Sequence, residues 1–558
     1  MSAPHYAIGI DLGTTHCALS YVDVTASDGE QAVQQVLSIP QLTGPGAVEA
    51  RPLLPSFLYL PHESELAPGD LALPWTGAQD FAAGEFARAR GAATPIRLVA
   101  SAKSWLCHPG VDRRAAILPA EAPAEVARIS PLTASIRYLS HLREAWNAAH
   151  PDAPFDAQDV TVTIPASFDP AARELTAEAA RAAGYAAITL LEEPQAALYS
   201  WIQHSAGQWR KDVKKGDIIL VVDVGGGTTD LSLIAVLERD GNLELHRVAV
   251  GDHILLGGDN MDLALAYGVA RKLAGQGTQL DPWQTRALAH ACRGAKETLL
   301  GDASVDAVPV VVPSRGSKLI GGSIRTEVTR EELTRSLLDG FFPEVAVSDA
   351  PLSRARGALT QLGLPYAQDA AITRHLGAFL SRQRGATAEL EGFATPQPDD
   401  AGFLHPTAVL FNGGVLKSGL IADRLLGLVN RWLADDGAPA ALRHGRREVV
   451  AQLHRHQAVA SYHRLGRADR LAQERREVGI GTRAVHQEAD LQIGRRGADG
   501  GGGLRRGEID CQRAGLPTRA FLDTGRNLVE HRLAAGQQHD VETPLGQRLG
   551  EGRAHPVG

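Results

Sequence analysis

The sequence predicts an α/β fold built from two similar halves, each organised around a glycine turn that follows a buried strand. Residues 8–15 read IGIDLGTT and residues 221–230 read VVDVGGGTTD, so both run through apolar residue, Asp, apolar residue, Gly and Thr-Thr. Because β-branched residues favour extended backbone, residues 6–12 and 218–224 are predicted as buried strands. The two copies indicate two halves of one site.

The residue types in both turns suit a polyphosphate. Glycine has no Cβ, so Gly225, Gly226 and Gly227 allow positive φ and a close approach of backbone N–H groups to an anion. The hydroxyls that can add donors are those of Thr14, Thr15, Thr228 and Thr229. The hard oxygens that could hold Mg²⁺, mostly through its waters, are those of Asp11, Asp223 and Asp230. One glycine-rich turn is by default structural, so the duplication with matching acids carries this interpretation.

Local patterns predict the other elements of the first half. Residues 40–70 are rich in Pro, Gly and Ala and predict irregular loop with short extended pieces such as 57–60. Helical spacing predicts a helix over 131–149, and alternation predicts a strand over 160–165 that Pro165 stops. A helix over 169–183 ending at Gly184 and a strand over 188–191 then lead to Glu192 and Glu193.

Local patterns also predict the elements of the second half. Residues 231–237 and 243–249 predict a meander of strands, followed by helices over 261–273 and 283–300. The TREEL sequence at 329–333 predicts a helix start, and residues 331–381 are predicted as mostly helical. The apolar stretch 408–416 is broken by Gly413 and Gly414, which gives a third glycine turn at a strand end.

Composition restricts the class of protein. At 558 residues the chain is long enough for several domains with large cores. The cysteines Cys17, Cys107, Cys292 and Cys511 are scattered without a CxxC pair, which argues against a zinc site or a disulfide framework. The N-terminus leads directly into the first strand, without a leader pattern, and no apolar run approaches a membrane span. We therefore expect a cytoplasmic protein without a membrane partner.

The charge distribution changes near residue 440. Residues 1–440 hold 36 Lys and Arg against 50 Asp and Glu, whereas residues 441–558 hold 20 Arg, no Lys and 14 acids. An Arg-rich tail could bind nucleic acid, but its basic residues alternate with acids and its aromatics are only Tyr462 and Phe521. We expect no specific nucleic-acid partner, and a tail too poor in apolar residues to build a core.

Taken together, the ordered motifs resemble the nucleotide-binding domain of heat-shock protein 70 (DnaK-type) chaperones, within the actin-like ATPase superfamily. IGIDLGTTHCAL is similar to the first phosphate loop of that family, and DIILVVDVGGGTTDLSL is similar to the second. The segment between them, VTVTIPASFDPAARELTAEAARAAGYAAITLLEEPQAAL, resembles the connecting segment of the family. The stretches LLGGDNMD, ACRGAKETL and VLFNGGVLKS resemble later segments, so the collinear match covers most of residues 6–433.

The resemblance implies a two-lobed actin-like ATPase fold of duplicated ribonuclease-H-like cores with mixed sheets. Lobe I would occupy residues 1–207 and lobe II residues 208–440, with a helical insertion near 340–405. Residues 441–558 would form a poorly structured Arg/Gly-rich tail. Beyond about residue 436, neither the closing helix of the family, nor its interdomain linker, nor its peptide-binding domain is recognisable. We hypothesise that the tail is not a continuation of the family sequence, through a frameshift or a truncation.

The resemblance also implies roles for individual residues. ATP or ADP with Mg²⁺ would be the cofactors, and Asp11 and Asp223 would organise the metal through water. Lys103 would lie near the γ-phosphate and the attacking water, and Glu193 would link lobe closure to the same place. The remaining nucleotide contacts would come from Gly13, Thr14, Thr15, Gly225, Gly226, Gly227, Thr228, Asp230, Gly258, Lys296, Gly413 and Gly414.

Within ACRGAKETLL the sequence departs from the family. The family surrounds adenine with an acid, a basic pair and a Ser at these positions, whereas this chain has Arg293, Lys296, Glu297 and Leu300. Of these positions, only the lysine keeps the residue of the family. The resemblance therefore implies phosphate contacts more strongly than adenine contacts.

Three functions fit these motifs. The leading one is an ATP-binding, slowly hydrolysing chaperone-type ATPase, whose partners would be nucleotide, unfolded client proteins and co-chaperones. A sugar or acetate kinase of the same superfamily would share the phosphate loops but need an acceptor site. A filament-forming or non-catalytic actin relative is the third. The connecting segment and LLGGDNMD favour the chaperone family.

Overall fold

A computed structural model describes most of the first 438 residues. The described ranges are 4–25, 34–77, 79–120, 122–205, 208–239, 242–313, 323–352, 364–388, 390, 393, 400–438 and 442–444. The predicted tail at 441–558 lies outside these ranges, apart from residues 442–444.

Among the described residues, the first half of the chain contains a mixed sheet, two small sheets and five α-helices, and it is called lobe I below. Its strands are β1 (Tyr6–Leu12), β2 (His16–Asp23), β3 (Gln35–Val36), β4 (Ile39–Gly44), β5 (Ala47–Arg51), β6 (Leu54–Pro55), β7 (Leu58–Tyr59), β8 (Ala82–Ala83), β9 (Leu98–Val99), β10 (Asp159–Ile164) and β11 (Thr189–Glu192). Its helices are α1 (Glu85–Ala93), α2 (Ala102–Leu106), α3 (Pro131–Ala149), α4 (Pro170–Ala182) and α5 (Glu193–His204).

The second half, called lobe II, repeats this plan. Its strands are β12 (Ile218–Val224), β13 (Thr229–Arg239), β14 (Asn242–Val250), β15 (Ala307–Pro313), β16 (Ser323–Thr329), β17 (Ala408–Asn412) and β18 (Arg443–His444). Its helices are α6 (Trp209–Asp212), α7 (Gly258–Gly275), α8 (Pro282–Gly301), α9 (Arg330–Thr334), α10 (Ile372–Arg382) and α11 (Gly419–Asp435), and a π-helical turn over Arg335–Asp339 extends α9.

The main sheets of the two lobes have the same topology. The path β11-β10-β1-β2-β3 in lobe I corresponds to the path β18-β17-β12-β13-β14 in lobe II. In each, the first two strands form an antiparallel hairpin, and the two strands beyond the first strand run parallel to it. This duplication confirms the predicted fold class, a two-lobed α/β fold with mixed sheets.

The predicted helices of lobe I form because their ends are capped and their apolar faces are buried. Ser130 accepts a hydrogen bond from the N–H of Thr133 at the start of α3, and Trp146 on its inner face is fully buried. Asp169 caps α4 in the same way, and Gly184 follows its end with a φ of 87°. Both helices match their predicted positions within two residues.

Helix α5 links the lobes. Its residues Ala197, Leu198 and Trp201 belong to the apolar core of lobe II, which also includes the buried face of β12. The core of lobe I is separate and is built from β1, β2, β10, α3 and α4. Glu193 begins α5 directly after β11, so it lies where the chain passes from one lobe to the other.

Two sequence predictions need correction. Residues 40–70 are more regular than predicted, because β4 and β5 form an antiparallel hairpin. Where the structure describes residues 331–381, they are helical only towards their two ends, because 342–352 and 364–371 are irregular. Prolines at 343, 351 and 365 interrupt that region, and α10 is the one helix described within the predicted insertion at 340–405.

In the described part of the chain, no helix is both long and apolar enough to cross a bilayer. The thiols of Cys17, Cys107 and Cys292 are free. Leu442 is buried, and Arg443 and His444 pair in parallel with β17, so the sheet of lobe II includes residues just beyond the predicted boundary at 440.

Candidate functional site

The first glycine turn joins β1 to β2 and consists of Gly13, Thr14 and Thr15. A Cβ on Gly13 would lie 2.3 Å from the backbone oxygen of His16, so the turn is too tight for a side chain there. Ser56 braces the turn, since its hydroxyl donates to the carbonyl of Gly13 (2.7 Å) and its N–H donates to the carbonyl of Thr15 (2.9 Å). The backbone that would meet an anion is therefore held in place by the protein itself.

The second turn, residues 225–228, joins β12 to β13 and faces the first turn across the lobe boundary. A Cβ on Gly226 would lie 2.0 Å from Cγ2 of Thr15. A Cβ on Gly227 would lie 2.6 Å from Cγ2 of Thr14. A side chain at Gly226 would therefore collide with lobe I, and one at Gly227 would require the Thr14 methyl group and the Ser104 hydroxyl to move.

Two further glycine segments approach the second turn from within lobe II. Gly413, directly after β17, has a φ of 87°, and a Cβ there would lie 2.2 Å from the backbone oxygen of Val224. At the start of α7, the N–H of Gly258 donates to the carbonyl of Gly225 (3.0 Å). The N-terminus of α7 and the turn after β17 thus flank the second glycine turn.

These segments enclose a cleft of about 450 Å³, which lies within the usual size range of ligand sites. The predicted site residues that line it are Asp11, Gly13, Thr14, Thr15, Gly225, Gly226, Thr228, Gly258, Lys296, Gly413 and Gly414. The predicted site residues outside its lining are Lys103, Glu193, Asp223, Gly227 and Asp230. The residues assigned to phosphate, apart from Gly227, thus lie in the cleft lining together with Asp11, whereas Lys103, Glu193, Asp223 and Asp230 lie outside that lining.

The two aspartates that end β1 and β12 have equivalent surroundings. Asp11 is opposite Thr163 on the parallel strand β10, and the Thr163 hydroxyl donates to its Oδ1 (3.1 Å). Asp223 is opposite Asn412 on the parallel strand β17, and the Asn412 amide donates to its Oδ2 (2.9 Å). In both lobes a neutral side chain on the neighbouring strand therefore orients the carboxylate.

Lys103 and Glu193 form a buried ion pair in lobe I. The Nζ of Lys103 lies 2.7 Å from Oε1 of Glu193, and the two side chains are 10% and 1% exposed. Ser101, just before α2, adopts a positive φ of 52°, and its hydroxyl donates to Oδ2 of Asp259 in lobe II (3.2 Å). Because Asp259 lines the cleft, the segment that carries Lys103 contacts the cleft wall.

Basic and acidic side chains of α7 and α8 interlock on the lobe II side of the cleft. Arg293 forms ion pairs with both Asp259 and Asp262. The Nζ of Lys296 lies 2.6 Å from Oδ1 of Asp262 and donates to the carbonyl of Gly258 (3.0 Å). Lys296 is therefore fixed against the start of α7, where it contributes positive charge to the cleft.

The surroundings of His16 reveal the electrostatic character of the cleft. Burial, and after it the nearby cations Arg88, Arg293 and Lys417, together lower the pKa of His16 to about 4. The ring is therefore neutral at pH 7. Arg293 and Lys417 also line the cleft, so cations lie beside this neutral ring.

Sequence reasoning missed the residues that hold the site together. Ser56, Thr163 and Asn412 orient the first turn and the two aspartates, and Ser101 joins the lobes. Only Asn412 carries a local signal, because it directly precedes the third glycine turn. Within the described ranges no group of three or more His, Cys, Asp or Glu side chains is arranged to hold a metal ion.

Two sheets of matching topology, with one glycine turn from each meeting at the cleft, define the class of protein: an actin-like ATPase fold. Comparisons with known proteins show which family within that class the chain is similar to. A family model described as Hsp70 protein matches residues 119–349.

Individual relatives agree with that model. The chaperone protein HscA homolog of Bordetella pertussis is 29% identical over 458 residues, which cover 79% of this chain and 62% of that protein. The HscA homolog of Ralstonia nicotianae is 27% identical over 463 residues, with the same shares. The HscA homolog of Pseudomonas fluorescens is 36% identical over 181 residues, which cover 32% of this chain and 26% of that protein.

The family model and these relatives confirm the resemblance of the motifs to the Hsp70 family. The chain spans about 62% of the length of the Bordetella and Ralstonia relatives it matches. The kinase and filament alternatives are not favoured, because these relatives are chaperones.

Proposed function

We propose that the chain binds Mg²⁺-ATP in the cleft between its lobes and hydrolyses it slowly, as the nucleotide-binding part of a chaperone. The observation that carries this proposal is the contact between the two glycine turns. Gly226 and Gly227 leave no room for a Cβ against Thr15 and Thr14, so backbone N–H groups of both lobes are available to one anion. The N-terminus of α7 opens onto the same cleft and favours negative charge there.

The residues at the ends of β1 and β12 fit a magnesium ion held largely by other ligands. Asp11 and Asp223 are hard oxygen donors at equivalent positions, but two carboxylates are fewer than Mg²⁺ needs. The nucleotide phosphates and water would complete the coordination. When bound, the ion would neutralise charge on the phosphate oxygens.

Lys103 and Glu193 are the side chains proposed to act on the attacking water. Their buried ion pair fixes both groups in one orientation. In-line attack of water on a phosphoryl group depends mostly on positioning and charge neutralisation. Glu193 begins α5, the helix between the lobes, so a change of lobe angle would shift its carboxylate relative to Lys103.

Activities of a whole chaperone are also part of this proposal. The relatives are named as chaperone protein HscA homologs, and we infer that this chain acts with unfolded client proteins and co-chaperones. We also infer a cytoplasmic location, supported by the free thiols of Cys17, Cys107 and Cys292.

Calorimetry with Mg²⁺-ATP on the purified full chain tests nucleotide binding and, at the same time, whether the chain is folded. We expect one binding event per chain, with a dissociation constant on the order of micromolar. Phosphate release would follow without any added acceptor, and sedimentation with ATP would detect no filaments. Heat of binding absent from a folded chain would refute the proposal, whereas phosphate release that requires a sugar or acetate acceptor would support the kinase alternative.

Asp223→Asn tests the metal role. Because the variant removes one negative oxygen while keeping the shape, we expect affinity for Mg²⁺-ATP to fall at least about tenfold. Affinity for ATP measured with EDTA should hardly change. An equal loss in both measurements would exclude the metal role. Asp306→Asn, at a carboxylate that is 94% exposed in lobe II, is the matched control and should leave both affinities unchanged.

A further inference from the structure

Asp230 lies behind the second glycine turn and faces lobe I. It is on β13 directly opposite Asp223, and it is 4% exposed. Its Oδ1 accepts a hydrogen bond from the hydroxyl of Ser167. Ser167 belongs to the loop between β10 and α4, so this bond crosses the lobe boundary.

His253 completes the cluster from lobe II. It follows β14, its side chain is 17% exposed, and its Nδ1 lies 2.7 Å from the Ser167 oxygen and 3.5 Å from Oδ1 of Asp230. Burial lowers the pKa of His253, but Asp230 and then Cys107 outweigh that effect and raise it to about 10. The imidazole is therefore a cation at neutral pH, paired with a buried carboxylate.

This arrangement is not a hydrolytic triad. Ser167 and Asp230 both approach the same ring nitrogen, whereas a triad uses one nitrogen for each partner. A protonated imidazole also cannot take the serine proton. Ser167 instead gives its proton to the carboxylate, so the three side chains hold one another in place.

One aromatic ring connects this cluster to Lys103, the lysine assigned to hydrolysis. Phe168, next to Ser167, meets the His253 ring edge-on with centroids 5.8 Å apart. The Nζ of Lys103 lies 5.7 Å from the centroid of the same Phe168 ring. The loop that carries Ser167 thus contacts Lys103 in lobe I and Asp230 in lobe II.

We propose that Ser167 and His253 are positioning residues that hold Asp230 against lobe I, so that the second phosphate turn adopts its hydrolytic geometry only when the lobes are closed. This inference rests on the proposed function. Separation of the lobes would break the bond between Ser167 and Asp230 and remove one donor from the carboxylate. The cost of leaving a buried carboxylate short of a donor would then oppose opening.

The kinetic experiment uses the full chain with Ser167→Ala, Ser167→Thr and His253→Gln. We expect Ser167→Ala to lower the single-turnover rate of ATP hydrolysis about tenfold while ATP affinity, measured by calorimetry, changes less than about twofold. Ser167→Thr keeps the hydroxyl and should restore most of the rate. His253→Gln keeps a hydrogen-bonding group but removes the charge, and should resemble Ser167→Ala. Ser304→Ala, at an exposed serine of lobe II, is the control and should behave as wild type.

A purely structural role would lower thermal stability without this separation of rate from affinity. An unchanged rate in Ser167→Ala, or a rate that Ser167→Thr does not restore, would overturn the proposal.

A second measurement does not depend on ATP. In NMR of histidine-labelled protein, Ser167→Ala and Asp230→Asn should each shift the ring resonances of His253, because both side chains lie next to its Nδ1. Ring resonances that neither substitution moves would overturn the cluster itself. If the resonances shift as expected but the chain binds no ATP, the proposed function fails and the link between the lobes remains.

Discussion

Lys103→Ala is expected to reduce the single-turnover rate of ATP hydrolysis at least about a hundredfold while ATP affinity changes less than about threefold. A hundredfold loss corresponds to about 2.7 kcal/mol of transition-state stabilisation. The physical reason is that Lys103 is the buried cation that we assign to the γ-phosphate and the attacking water. Because the residue lies outside the cleft lining, the bound nucleotide should lose little contact when it is removed.

The variant must be separated from simple destabilisation. Removal of Lys103 leaves Glu193, which is 1% exposed, without its cation, and breaking a buried pair costs about 3–5 kcal/mol. Lys103→Met/Glu193→Gln removes both charges and should recover much of the unfolding temperature without recovering hydrolysis. Lys215→Ala, at a lysine that is 50% exposed, is the control for rate and stability. Wild-type turnover in folded Lys103→Ala protein would remove the assignment of Lys103 to catalysis.

The parts of the site that depend on neighbouring residues could be predicted from the sequence. Both glycine turns and both aspartates lie next to a strand whose β-branched residues identify it, so their placement needed only local patterns. Repetition of the pattern then predicted the two lobes, because two similar turns can form the two halves of one ligand site. The matching sheet topology confirms the fold that this repetition indicated.

The groups that orient those residues could not be predicted in the same way. Thr163 lies 152 residues from Asp11, and Asn412 lies 189 residues from Asp223. Each pair meets because two parallel strands are in a particular register, which no local pattern specifies. The Ser167 and His253 contacts likewise depend on how the lobes approach each other.

The error over residues 331–381 has a local cause. The region begins with a capping box, in which Thr329 and Glu332 exchange hydrogen bonds, and its end contains the amphipathic α10. Helical signals at both ends led to a helical prediction for the middle. Asp369 instead accepts hydrogen bonds from the N–H groups of Leu352 and Ala371, which satisfies backbone donors without a helix.

Gly226→Ala is expected to lower affinity for Mg²⁺-ATP at least about a hundredfold, or about 2.7 kcal/mol. The new methyl carbon would lie 2.0 Å from Cγ2 of Thr15 and 3.0 Å from its Cβ, so rotation of the threonine would not relieve the contact. The lobes would have to separate at the point where both glycine turns meet the phosphates. Each lobe keeps its own core, so we expect folding to survive.

Calorimetry and thermal unfolding of the same preparation test this prediction. Gly294→Ala is the matched control, because Gly294 is exposed on α8 with no atom within 4 Å of an added Cβ. That change should leave affinity unaltered and stabilise the helix by up to about 1 kcal/mol. Wild-type affinity in Gly226→Ala would mean that the two turns do not close on the nucleotide together, and the proposed clamp between the lobes would have to be abandoned. Loss of affinity in both variants would instead indicate a general sensitivity of lobe II to substitution.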